Sequence, residues 1–318
     1  MSQSGAFTVE AKTAEVYGEL WGRYDDQLFL QSVELFEKRW IANGEDPRFF
    51  AGKHCLDAGC GGGRFSIAMA RLGASSVAGI DLSDVGLQDA RRRQAMLALP
   101  QIEFRTASVL ELPFGDGEFD FVCCSGVLHH TPSIERGLRE IHRVLKPGGC
   151  TYLLLYGAGG LFWPSNALLR PLAGLIGRAG LDRAIQAAGL ADNRRRSILD
   201  DLYVPILETY GRERLEALLA QAGFLSRRYW NAARMDHESS PHSMLEELNT
   251  RLSVWLTAAR QRTGEADAGI WAAGANILQA VTRTAETLIR LSEAGSIAPE
   301  RVRETVIGAG HHRLLAFR

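Results

Sequence analysis

The sequence predicts an α/β protein. The expected architecture is a doubly wound, Rossmann-like, mostly parallel seven-stranded sheet with an antiparallel last strand, plus helical cap insertions. Three observations predict it. Short apolar runs alternate with helix-period segments between residues 49 and 156, the pattern of strand–helix–strand units whose sheet is covered on both faces. A glycine-dense turn, Gly59 with Gly61, Gly62 and Gly63, directly follows the first of those runs. The chain closes on HHRLLAFR, a strand with alternating faces that needs a partner, and FLSRRYWNA supplies one in antiparallel pairing.

Taken in order, residues 10–40 read as helix, with Tyr17, Trp21 and Tyr24 on one stripe. KHCLDAG is the first strand, and GRFSIAMARLG a helix stopped at Gly73. SSVAGIDLS is the second strand, followed by a helix from Ser83 to about Leu99. IEFRTAS and FDFVCCSG are the third and fourth strands. SIERGLREIHRVLKPGG is a helix stopped by Pro147-Gly148-Gly149, and CTYLLLYG the fifth strand. Residues 157–206 then turn helical and apolar, beginning with Leu161, Phe162, Trp163 and Pro164. GRERLEALLAQAG is a helix leading into the sixth strand, and 233–307 is helical again.

The resulting organisation is an N-terminal cap segment (1–48), a core (49–156) and a helical insertion (157–206). A core continuation (207–232), a second helical insertion (233–307) and a final core strand (308–318) complete it. On this reading the second insertion separates two edge strands. Its helices are open to use as a lid or as a dimer interface.

Composition narrows the function classes. A formal net charge of −1 gives no global field for nucleic acid or an anionic membrane. The runs Arg91–Arg93 and Arg194–Arg196 read as solvated helix faces. Five cysteines lack the paired spacing of a metal site and read as buried reduced thiols, so no metal is expected. There is no signal-like start and no apolar run of spanning length, and the expected location is cytoplasmic.

The glycine turn lies where ligands bind in a doubly wound sheet, outside the carboxyl ends of the strands. Aligned on Gly59 and Gly61, the third position of a dinucleotide fingerprint is Arg64, and no Gly-Lys-Ser/Thr follows. A nucleoside without a diphosphate fits better. Asp81 ends the second strand eighteen positions after Gly63, where a carboxylate can grip a ribose diol. Asp57 either holds the loop or faces a cationic amino-acid group.

Four stretches in order, LDAGCGGGRFS, GIDLS, LELPFGDGEFDFVCCSGVLHH and EIHRVLKPGG, resemble class I S-adenosylmethionine-dependent methyltransferases. The branch with quinone-biosynthesis and natural-product enzymes is the most similar, and the likeness spans about residues 50–156. The resemblance implies S-adenosylmethionine as cofactor. Asp57, Gly59 and Gly61 would surround its methionine part, Asp81 its ribose, and Leu82 its adenine. Ser108 stands where the family often has an acidic residue for the adenine amino group, with the Val109 backbone beside the ring. Ser125 would lie near the amino-acid portion. The Tyr24-Asp25 pair matches one that the family's covering N-terminal helix often carries.

Methyl transfer asks the protein to align a nucleophile and exclude water, and a base helps when the acceptor is a hydroxyl or protonated amine. His129, His130 and Tyr156 stand at the exits of the fourth and fifth strands. An aromatic face such as Tyr24 would also favour a sulfonium. The expected acceptor is a small or medium-sized, partly apolar metabolite methylated at O or N. No Asn/Asp-Pro-Pro-aromatic signature follows the fourth strand, which argues against a nucleic-acid base. A peptide or other macromolecular acceptor, and a non-catalytic cofactor-binding role, stay open. Tyr203 and Glu208, where the chain returns to the sheet, are further residues of interest.

Overall fold

The computed structural model describes residues 12–13, 15–18, 25–232 and 237–318. The chain divides into two compact units. The first is drawn from Met1–Tyr156, Pro205–Ala233 and His311–Arg318, the second from Gly157–Val204 and Arg234–Gly310.

The first unit is built on seven strands: β1 (His54–Ala58), β2 (Ser76–Asp81), β3 (Ile102–Thr106), β4 (Phe119–Ser125), β5 (Leu145–Leu155), β6 (Ser226–Tyr229) and β7 (His312–Phe317). Their order in the sheet is β3-β2-β1-β4-β5-β7-β6. β1 to β5 run parallel, and β7 lies antiparallel to both β5 and β6. The order reverses between β1 and β4, which opens a crevice at their carboxyl ends.

Helices α1 (Asp26–Ala42), α2 (Arg64–Arg71), α3 (Asp84–Met96), α4 (Ile134–Val144) and α8 (Arg212–Gln221) belong to this unit. Side chains set where several begin. Asp25 Oδ1 accepts from the Gln27 and Leu28 amides, Ser83 Oγ from Gly86, and Ser133 Oγ from Arg136. One face of the sheet packs an aromatic core around Phe36, Trp40, Phe50, Phe121, Tyr152 and Trp230. The other buries aliphatic side chains such as Leu56, Val122, Leu138 and Leu215.

The structure corrects the sequence reading at three places. β7 is an interior strand buried between β5 and β6, so of these two closing strands only β6 is an edge. Pro147-Gly148-Gly149 does not merely stop the helix. It forms a register shift within β5, between the pairings Phe119↔Leu145 and Phe121↔Cys150. Arg93 is 1% exposed and lies on the buried face of α3 with Leu87 and Ala90.

The second unit contains α5 (Phe162–Ile176), α6 (Arg178–Ala187), α7 (Asp192–Tyr203), α9 (Pro241–Gln261), α10 (Ala268–Glu293) and α11 (Pro299–Ile307). The two helical segments come together with a core of their own. Trp255 and Trp271 pack with ring centres 5.2 Å apart and planes tilted by 55°, and Gly274 is pressed so closely on Trp255 that a Cβ would stand 2.1 Å from its ring. Arg251 is buried with Glu247, Asp201 and Asn166, its guanidinium 4.5 Å over Phe162. Phe162 and Trp163 are core of this unit, and the Tyr203 hydroxyl donates to the Ala173 carbonyl. No helix among the described residues is long and apolar enough to cross a membrane.

Candidate active site

The glycine turn is shaped from below and open from above. Gly59, Gly61 and Gly63 have φ of 86°, 50° and 84°, backbone that side chains rarely adopt. A Cβ at Gly59 would stand 2.3 Å from Val127 Cγ2, one at Gly62 2.8 Å from an Arg93 guanidinium nitrogen, and one at Gly63 3.0 Å from Phe104. Among the described residues, a Cβ at Gly61 would meet nothing within 4 Å. Backbone is therefore presented to open space at one glycine only, with its neighbours locked onto the protein.

Two carboxylates flank this opening. Asp57, at the end of β1, is 1% exposed. Its Oδ2 accepts from the Ser66 amide at 2.8 Å and the Ser66 hydroxyl at 2.6 Å, while Oδ1 is buried with no hydrogen-bond partner. Burial pushes this carboxyl up to about 7, against the opposing pull of the Ser66 bonds. Asp81, at the end of β2, is half-buried. Its Oδ2 accepts from Gly61 and its Oδ1 from Ser83, each at 2.8 Å. Burial raises its pKa too, and the bonds from Ser83 and Gly61 oppose that.

Around them lie the remaining nucleoside-side residues. Leu82 is 37% exposed beside Asp81. Ser108 Oγ accepts from the Leu110 amide at 3.1 Å, and Val109 is buried. Ser125 is half-buried at the end of β4, next to Gly126, where a Cβ would again meet nothing within 4 Å. Tyr24 and Trp21 lie outside the described residues. Tyr17 is described, its ring 5.4 Å from that of His130. Gly18 lies so close to the start of α3 that a Cβ would stand 2.8 Å from Ser83 Oγ. Tyr17 thus adjoins the histidine turn, and Gly18 the start of α3 beside Asp81.

That turn, Leu128–His130, follows β4. His129 is fully buried, and both of its ring nitrogens lack hydrogen-bond partners. Burial, then His130 and His311, hold its pKa well below the ordinary histidine value. His130 Nδ1 bonds the Ile206 carbonyl at 2.8 Å, so that nitrogen carries the proton. Glu208 donates its amide to the His129 carbonyl at 3.0 Å, tying the returning chain to the same turn. Tyr156 stands 3.9 Å from His129, ring centre to ring centre.

A comparison with known proteins decides what this site belongs to. Residues 56–153 match the methyltransferase domain family. Those residues form a class I S-adenosylmethionine-dependent methyltransferase domain.

The ubiquinone biosynthesis O-methyltransferase of Pseudomonas aeruginosa (strain LESB58) is 37% identical over 137 residues, 42% of this chain and 56% of that protein. The 2-phytyl-1,4-naphtoquinone methyltransferase of Nostoc sp. is 39% identical over 147 residues, 45% of this chain and 61% of that protein. The chain thus spans little more than half the length of these curated relatives. Among solved structures, an S-adenosylmethionine dependent methyltransferase from Mesorhizobium loti is 22% identical, with a TM-score of 0.41 over 62% of this chain and 86% of that one.

The methyltransferase domain's cofactor is S-adenosylmethionine, and the residues present suit it. The buried, unpartnered Asp57 Oδ1 is an acceptor for an ammonium, and the exposed Leu82 an apolar seat for a purine. Asp81 oxygens keep lone pairs for a diol after meeting two amides.

Sequence reading missed Ser66, Val127, Arg93 and His311. Arg93 was findable, since it follows Leu87 and Ala90 at helical spacing. Val127 and Ser66 reach the loop only through the packing of β4 and α2.

Proposed function

We propose that this chain is an S-adenosylmethionine-dependent methyltransferase acting on O or N of a small or medium-sized, partly apolar metabolite, in the cytoplasm. The observation that carries the reading is the pairing of an open Gly61 with the carboxylate bonded to its amide. A nucleoside laid against Gly61 would bring its ribose to Asp81, its purine to Leu82 and Val109 with Ser108 at the ring edge, and its amino acid to Asp57, Gly59 and Ser125. When bound, the cofactor supplies an activated methyl group. The protein orients it, shields it from water and handles the acceptor's proton. His129, His130 and Tyr156 line the acceptor side in this reading, and Tyr24 belongs to the covering segment.

Calorimetry with S-adenosylhomocysteine, followed by turnover of labelled S-adenosylmethionine over a panel of hydroxyl and amine acceptors, tests it. Micromolar binding and acceptor-dependent release of S-adenosylhomocysteine are expected. Tight binding of NADH with no heat from S-adenosylhomocysteine would overturn it.

A further inference from the structure

The register of the last strand brings a residue to the site that no sequence motif marks. Leu155 of β5 pairs with His312 of antiparallel β7, so the next residues, Tyr156 and His311, meet beyond the sheet edge. That edge is also where β1 and β4 end. In the order β1-β4-β5-β7, Tyr156 stands one strand spacing from β4, about 5 Å, and His311 two, about 10 Å. The pair lies on the side of the crevice away from β2, which ends in Asp81, and β3, which Ser108 follows. The nucleoside residues thus fall on one side and a ring cluster on the other. In that cluster Tyr156 is central. His129, His311 and His130 lie around it at 3.9, 4.7 and 5.5 Å.

The three imidazoles are not equivalent. His129 is fully enclosed. His130 is 4% exposed and has spent Nδ1 on the Ile206 carbonyl. His311 alone of the three is half-buried as a residue, although its Nδ1 is covered. A phenol is in general a poor proton acceptor at neutrality, whereas an imidazole suits the task.

We propose that His311 is a catalytic residue that takes the proton of a hydroxyl acceptor during methyl transfer. The proposal rests on the methyltransferase reading above. A lone pair of the acceptor oxygen forms the new bond to the methyl carbon. The carbon–sulfur bond breaks with its pair going to sulfur, which becomes a neutral thioether. The hydroxyl proton passes to a His311 ring nitrogen and is later lost to water. Tyr156 packs against the His311 ring and limits its orientation.

The test uses the full chain, with catechol as the acceptor probe and labelled S-adenosylmethionine. His311→Ala is expected to lower kcat by roughly 10²- to 10⁴-fold with little change in KM for catechol. Added imidazole should restore part of the rate, and S-adenosylhomocysteine should bind as in the unaltered chain. His311→Asn, which keeps a polar side chain, should stay slow. Independently of turnover, carbethoxylation mapped by mass spectrometry should reach His311 well before His129 and His130. If His311→Ala keeps the original kcat while still binding S-adenosylhomocysteine, His311 has no such role and the cofactor reading stands. Modification of His129 as fast as His311 would overturn the proposal equally.

Discussion

The carboxylate of Asp81 accepts the amide of Gly61 at 2.8 Å, twenty residues away in sequence. The group expected to hold the ribose therefore also holds the loop that faces it, and its second oxygen caps the turn at Ser83. Asp81→Asn puts an NH2 group against one of those two amides. Hydrogen bonds to a charged group contribute about 1.5–3 kcal/mol, so S-adenosylhomocysteine affinity should fall roughly 10- to 100-fold by calorimetry. Unchanged affinity would remove Asp81 from the site.

Gly59 and Gly61 should respond oppositely to alanine. At Gly59 the new methyl collides with Val127, and left-handed backbone adds its own cost. Gly59→Ala should lose about 2–4 kcal/mol in urea denaturation. Gly61→Ala meets no atom of the described residues within 4 Å and should lose only about 1–2 kcal/mol. Its methyl fills the space reserved for the ligand, so cofactor affinity should be the property that collapses.

Cofactor binding should release a proton near neutrality. The Asp57 carboxyl sits at about 7 in the fold against an ordinary value near 4. Raised in the folded state, it contributes stability below about pH 4 that is lost as pH climbs through 7. An ammonium brought to its unpartnered oxygen favours the ionised form. Titrations at pH 6.5 in buffers of different ionisation enthalpy should give different heats, and affinity should strengthen from pH 6 to 8. Buffer-independent heats would show that Asp57 does not meet the cation.

In the helical unit, Arg251 is buried among Glu247, Asp201 and Asn166, and Arg194 also pairs with Glu247. Arg251→Ala removes the guanidinium that two buried carboxylates share, leaving Glu247 with Arg194, and should cost about 3–5 kcal/mol. Arg251→Ala combined with Glu247→Gln and Asp201→Asn should recover part of that loss. Chemical denaturation of the single and triple variants measures the difference.

Much of this fold was legible in the residues. The change from helical to two-residue rhythm marks each parallel strand, and Gly59–Gly63 after Asp57 marks where the crevice opens. What escaped depends on contacts between distant segments. Nothing local to HHRLLAFR says that it inserts between β5 and β6, because an interior and an edge strand both alternate. His311 owes its place to that insertion. Val127 shapes Gly59 only through the turn after β4. Arg93 was misplaced because three consecutive arginines suggest a solvated face, whereas the aliphatic part of the third lies in the helix's apolar stripe. Its guanidinium rests 4.0 Å over Phe29 and pairs with Asp26.

The interior position of β7 also constrains how the molecule is made. Until residues 312–317 leave the ribosome, β5 has no neighbour on its far side and β6 has none at all. The nascent chain must hold that apolar ledge unzipped while 156 intervening residues, from 156 to 311, are translated. Early termination anywhere in that interval should yield a sticky, chaperone-dependent fragment rather than a smaller working domain.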